Sequence, residues 1–175
     1  MQKICDDDTI DFEKYYKIPF KCTIESKARS FQYKINHNIY FTNEKLFKIN
    51  KIPSPRCESC GNIETLKHIF VECIEVQKFW DHFLTCWGEE LNIIILTATE
   101  ILLGYLGNNP SQQILNHLLI IAKQHISFTR WKCKKTNFIE YKYRVKYIQQ
   151  IEHNIAKRKS KMPEHVRKWS QICLP

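Results

Sequence analysis

The sequence predicts a mainly α fold: one helical domain with a small cysteine- and histidine-bearing module embedded in it and a long helical hairpin at its C-terminal end. Three observations lead there. A chain of 175 residues with 43% apolar content can bury one core and is short for two full domains. Only 4 Gly and 6 Pro leave few places for tight hairpin turns, which argues against an all-β fold. Apolar residues recur at steps of three and four along most of the chain, the period of one helix face.

Residues 1–22 carry Asp6, Asp7 and Asp8 and show no such period, so they are expected to form an acidic N-terminal tail. From Thr23 to Tyr40, the residues Ile24, Ala28, Phe31, Ile35 and Ile39 predict one helical stripe. Thr42 or Asn43 caps a short helix with Leu46, Phe47 and Ile49, and Pro53 and Pro55 end regular structure there. Val76, Phe79, Trp80, Phe83, Leu84 and Trp87 predict a helix with a bulky face that anchors the core, stopped by Gly88.

The β-branched run Asn92 to Leu96 is expected to be a short strand or a buried loop, and Thr97 or Thr99 to cap a turn through Leu103. Asn109-Pro110-Ser111 starts a long helix carrying Ile114, Leu115, Leu118, Leu119, Ala122, His125 and Ile126. A second, from about Asn137, carries Phe138, Tyr141, Val145, Ile148, Ile151 and Ile155 and packs back on the first as an antiparallel hairpin. A last short helix follows Pro163. Residues 23–175 therefore form a single domain, with the cysteine module at 53–87 and basic helices at 111–175.

Composition excludes several classes. The longest apolar run, Leu118 to Ala122, is far short of the roughly 20 residues that cross a bilayer, so no membrane span is expected. The first residues hold neither an apolar segment nor a small-residue cleavage site, and 8 cysteines are too few for a disulfide scaffold at this length. The expected compartment is intracellular and reducing, with nucleus and cytoplasm unresolved. The net charge of +9 is uneven: −2 over 1–20, +6 over 21–56, −6 over 57–121 and +11 over 122–175, where 14 basic residues face 3 acidic ones. Such a segment in a reducing compartment points to nucleic acid as partner, with an anionic membrane surface second.

Cys57, Cys60, His68 and Cys73 form the pattern Cys-x2-Cys-x7-His-x4-Cys, a complete tetrahedral donor set for zinc. Four protein ligands leave no open position for water, so the metal is expected to be structural and not catalytic. His68 and Cys73 lie about 140° apart on an ideal α-helix, so the helix must end or bend near Cys73. Glu64 and Thr65 are placed to orient the imidazole or to cap the helix that carries it.

The residues Arg29-Ser30-Phe31-Gln32, Thr42-Asn43-Glu44-Lys45-Leu46, the quartet with Glu64-Thr65 and Phe70, Trp80 seven residues after Cys73, Leu102-Leu103-Gly104-Tyr105, Ala122-Lys123, Ile151-Glu152 and Lys168-Trp169 follow one pattern. It resembles the zinc-binding segment downstream of the polymerase in LINE-type (non-LTR) retrotransposon reverse transcriptases, over roughly residues 24–170. The resemblance implies an accessory, nucleic-acid-associated part of an RNA-directed DNA polymerase that acts in target-primed reverse transcription. It also implies the polymerase body of the same element as a partner.

No aromatic-x-Asp-Asp hairpin with a distant third carboxylate is recognisable, nor an endonuclease set of His, Asp, Asn and Glu. No catalytic residue is assigned, and no enzyme activity is expected of the chain on its own; Cys133 and His125 are of reactive types without a constellation. The chain is expected to be a C-terminal fragment of such an element or a protein derived from one.

On the second long helix Lys142, Lys146, His153 and Lys157 share one stripe, and Arg158, Lys159 and Lys161 follow. These lysines and arginine are the expected contacts to an RNA or DNA backbone, with Tyr143, Tyr147, Trp131 and Trp169 offered for stacking. The competing reading is a zinc-stapled helical module that docks on protein.

Overall fold

The structure, a computed structural model, describes residues 11–174. In chain order its helices are α1 (Phe12–Cys22), α2 (Ser26–Asn36), α3 (Asn43–Lys48), a π-helical turn (His68–Glu72), α4 (Ile74–Trp87), α5 (Ala98–Leu103), α6 (Pro110–Trp131), α7 (Phe138–Arg158) and α8 (Met162–Trp169). The only β pairing among the described residues is a single antiparallel bridge between Arg56 and Ile63. The mainly α fold is thus as the apolar periodicity predicts.

The starts of the helices follow local chemistry. Asn109 accepts from the Gln112 amide at 2.7 Å ahead of Pro110, Asn137 accepts from Ile139 and Glu140, and Thr97 with Glu100 makes a capping box for α5. Thr42 accepts from the Lys45 amide at 3.2 Å and opens α3, and Gly88 closes α4.

Helix α6 is buried along most of its length and on nearly every face, and packs against α1, α2, α7, α8 and the π turn. Helix α7 runs back along it, Arg144 meeting Gln124 at 3.2 Å and Glu152 approaching His117 at 3.9 Å. Between α4 and α7 lies an aromatic cluster in which the Tyr141 ring sits 5.1 Å from Phe79 and 5.6 Å from Trp87 in edge-on contacts. The buried Tyr141 hydroxyl donates to the Leu118 carbonyl at 3.0 Å, so the cluster is anchored to α6 as well.

Three expectations need correction. Phe12–Cys22 is helix, capped by Asp11 and packed through Ile18 and Cys22, where a tail was expected; its Pro19 and sparse apolar residues hide the period. The Asp6-Asp7-Asp8 triplet lies outside the described residues. On α2 the buried face holds Ala28, Ile35, Gln32 and Asn36, while Ile24 and Ile39 fall beyond the helix ends and are exposed. Gln32 Nε2 donates to the Leu102 carbonyl at 2.7 Å and to Asn36 Oδ1 at 2.6 Å, so polar atoms replace apolar ones in the stripe. Asn92–Leu96 is neither strand nor buried loop: Ile94 is 93% exposed, and Asn92 sits at φ +54, which turns the chain away from extended pairing.

Gly104 ends α5 at φ +99, and a Cβ there would lie 2.6 Å from Asn116 Oδ1. Asn116 needs that approach because it bonds both the amide and the carbonyl of Tyr105, at 2.7 and 2.9 Å.

Lys123 is fully enclosed and donates to the Leu102 carbonyl at 2.8 Å; burial pushes its ammonium down to about 7. Below that pH the folded chain bears the whole cost of an enclosed charge. Between 7 and the normal lysine range the unfolded state holds more protons, so this group raises stability as pH climbs. Lys123→Met is therefore expected to exceed the wild type in stability at about pH 6 and to lose that margin between about pH 7 and 10. Urea unfolding of both proteins across that range checks the sign; the Leu102 carbonyl keeps its bond from Gln32 in either case.

Candidate metal centre and basic face

The first two donors come from a tight turn. The Cys57 amide donates to the Asn62 carbonyl at 2.7 Å and the Gly61 amide to the Cys57 carbonyl at 2.8 Å, with Gly61 at φ +77. This folds Cys60 back toward Cys57. The other two come from the π turn, closed by a bond from the Cys73 amide to the His68 carbonyl at 3.0 Å, five residues back. That wider turn brings Cys73 round to the face of His68. The bend expected from the 140° mismatch is therefore present, and Cys73 with ψ 130 breaks the chain direction before α4 begins.

The four donor atoms lie within 4.8 Å of one another. Cys57 Sγ and Cys73 Sγ are 4.0 Å apart, and Cys60 Sγ and His68 Nε2 are 3.3 Å apart. A tetrahedral zinc with ordinary bond lengths has sulfur–sulfur edges of about 3.8 Å and sulfur–nitrogen edges of about 3.6 Å, so these two edges match within a few tenths of an ångström and the quartet as a whole is a little open. Burial and the neighbouring Cys57 thiol push Cys73 up to about 11, and burial holds His68 below its usual range, the neutral form that binds a metal. Three crowded thiols beside a neutral imidazole suit a divalent cation that stabilises their thiolates.

Around the quartet, Thr65 accepts from the His68 amide at 3.0 Å and so caps the turn as expected. Glu64 does something else. Its carboxylate is buried and takes both arms of the Arg130 guanidinium, Nε at 2.9 Å and Nη2 closer still, and also accepts from the Asn43 amide at 2.9 Å. Arg130 Nη2 reaches Asn43 Oδ1 at 3.0 Å, and the guanidinium lies over the Trp131 ring. The last turn of α6, the start of α3 and the metal module are joined by this one pair. Arg130, sixty-six residues from Glu64, carried no sequence signal. Trp80 donates to the Phe70 carbonyl at 2.8 Å and so ties α4 to the π turn, which gives the tryptophan of the motif its task.

Residues 3–80 match the family model described as zinc-binding in reverse transcriptase. The matched reverse-transcriptase zinc-binding segment contains the whole quartet and ends on Trp80; it bears out the resemblance at that level, with zinc as the cofactor that both the family and the donor set support. Helices α5 to α8 lie beyond it. Among the described residues no helix is long and apolar enough to cross a membrane.

The basic residues separate into two groups. Lys146, Lys157 and Arg158 are exposed on the outer side of α7, and Lys142 is half-buried toward α4. Lys159 caps the end of α7 and, with Lys161, lines a cavity on another side of the molecule. Lys161 is 3.8 Å from Glu164. Tyr143 and Tyr147 are 70% and 64% exposed beside these lysines. Trp131 is half-exposed and donates to the Tyr40 hydroxyl at 3.1 Å. Trp169 was expected to offer stacking but is buried, donating to Glu152 Oε2 at 2.9 Å. Cys133 and His125 are apart in role: the first is exposed in the α6–α7 link, the second packed against Phe79.

Two outcomes follow. Cys57→Ser and Cys73→Ser are expected to lose stoichiometric zinc, read by metal analysis of the purified chain, and to unfold the module, since such sites contribute about 10–16 kcal/mol in small zinc domains. Glu64→Gln is expected to cost about 3–5 kcal/mol in denaturant unfolding because it strands a buried guanidinium, and the double change Glu64→Leu with Arg130→Met to cost markedly less.

Proposed function

We propose that this chain is a nucleic-acid-associated accessory segment of a LINE-type (non-LTR) retrotransposon RNA-directed DNA polymerase, with neither a polymerase nor an endonuclease active site of its own. The observation that carries this reading is the outer side of α7. At 100° per residue, Lys142, Lys146, Lys157, Tyr143, Tyr147, Gln150, Asn154 and Arg158 occupy one arc, opposite the buried Tyr141, Val145, Glu152 and Ala156. Cations interleaved with exposed rings supply both terms that hold a single strand: attraction for phosphates and a stacking surface for bases. Neither term reads sequence, so the face confers affinity without base preference. The zinc is structural in this reading: it holds the module against α6, and α6 in turn positions α7.

A protein-docking reading has its own observation. Phe41, Phe47 and Ile49 are exposed around α3, beside the zinc module, and form a surface for the polymerase body of the same element. The two readings separate in one experiment. In a salt series with single-stranded RNA and duplex DNA, changing Lys142, Lys146 and Lys157 together to Gln is expected to flatten the slope of log affinity against log salt by roughly two to three units. An unchanged slope with zinc and helicity intact favours protein docking. Primer extension by the isolated chain is expected at background, since no carboxylate set for two-metal nucleotide transfer is present in its sequence.

A further inference from the structure

A cavity of about 410 Å³ opens between the α1–α2 corner and the α7–α8 corner. Five cations from three elements line it: Lys21 at the end of α1, Lys159 and Lys161 after α7, and Arg167 and Lys168 on α8. Its two carboxylates are already engaged, Glu152 by Lys168 at 2.8 Å and Glu164 by Lys161 at 3.8 Å. Lys21 meets only the neutral Asn108 oxygen, at 2.7 Å, and Lys159 and Arg167 have no acidic partner among the described residues. Among the described residues, three positive charges without an acidic partner therefore line one concave space, where low-dielectric walls focus their field.

His165 also lines the cavity; it is more than nine-tenths buried, its ring packed against His153 and Trp169, and it closes the wall on the α8 side. The remaining wall is apolar, made by Phe20, Ile24 and Ile155, with the Arg29 guanidinium 5.0 Å over the Phe20 ring.

We propose that this cavity holds the phosphate-bearing end of a nucleic-acid strand, an inference that rests on the nucleic-acid reading of α7 and adds a terminus-recognising site to it. The volume suits one nucleotide and excludes a duplex. The phosphate sits among Lys21, Lys159 and Arg167, and the sugar and base lie against the apolar wall. Lys157 and Arg158 of the outer face immediately precede Lys159, so a strand lying along α7 reaches the cavity by crossing the C-terminal end of the helix, from the outer face to the side that Glu152 and Ala156 occupy. An anionic lipid headgroup fits the charge but makes no use of the adjoining α7 face.

The test is calorimetric titration of the full chain with one short single-stranded sequence carrying a 5′-phosphate, a 3′-phosphate or hydroxyls at both ends. One phosphorylated form is expected to bind roughly tenfold tighter than the hydroxyl form. The surface change Lys159→Gln with Arg167→Gln should erase that difference, whereas Lys146→Gln with Tyr147→Ala should weaken all three forms alike and keep the preference. Equal affinity of the three forms in the wild type overturns the terminal-phosphate site and leaves the α7 reading standing. No binding of any form overturns both. Retention on anionic phospholipid vesicles that depends on Lys159 and Arg167, without any preference among the oligonucleotides, assigns the cavity to lipid headgroups and overturns the proposal.

Discussion

The arrangement of the whole chain depends on one constraint: α6 is enclosed on almost all sides yet carries polar side chains along its length, and each must find a partner away from water. Those partners come from different elements. Asn116 holds the backbone of Tyr105, Lys123 the end of α5, Ser127 the Tyr40 hydroxyl at 2.6 Å, and Arg130 the zinc module. His117 lies 2.9 Å from the Lys168 ammonium of α8, which is itself paired with Glu152 of α7. An apolar helix in the same place would hold its neighbours by area alone and tolerate slippage. Here each neighbour has a fixed register along α6, because moving it by one residue strands a buried polar group.

The metal module belongs to this scheme and is not an appendage. Its ligands are supplied by a turn and a π turn, but its position relative to the helices is set by Glu64 on Arg130, by Trp80 on the Phe70 carbonyl, and by Ile69 and Phe70 buried in the core. Loss of metal should therefore be felt first between residues 53 and 73, while α6, α7 and α8 keep most of their mutual contacts. The division of labour also explains why the basic face of α7 can stay free of the metal site: the two are joined through α4, α6 and the α6–α7 link.

What was legible in the sequence was whatever is settled by neighbours in the chain. The quartet spacing, the Asn109-Pro110 start, the cap at Thr97 or Thr99, which falls to Thr97, and the stripe Val76 to Trp87 all depend on residues close in the chain, and all are present. What was hidden is settled at a distance. Gln32 and Asn36 occupy a buried face because Leu102 offers a carbonyl there, Trp169 turns inward because Glu152 accepts its indole hydrogen, and Glu64 serves Arg130 in place of His68. Isoleucines 94 and 95 misled in the opposite sense: their type suggests burial, and no element arrives to cover them.

The π turn sets the direction in which the rest of the molecule leaves the metal. Two ligands spaced four apart share a face of an ordinary α-helix, at about 40°, so a chain one residue shorter between His68 and Cys73 could still present both donors. It would do so from a helix that runs straight on, without the elbow at Cys73. The side chains of Trp80, Phe83 and Trp87 would then swing off the Phe70 carbonyl and off α7, with the metal bound and the core unmade. Such a deletion would pass any inspection of ligand identity and fail in packing, so in this chain the length of the spacer and the aromatic residues that follow it are a single requirement.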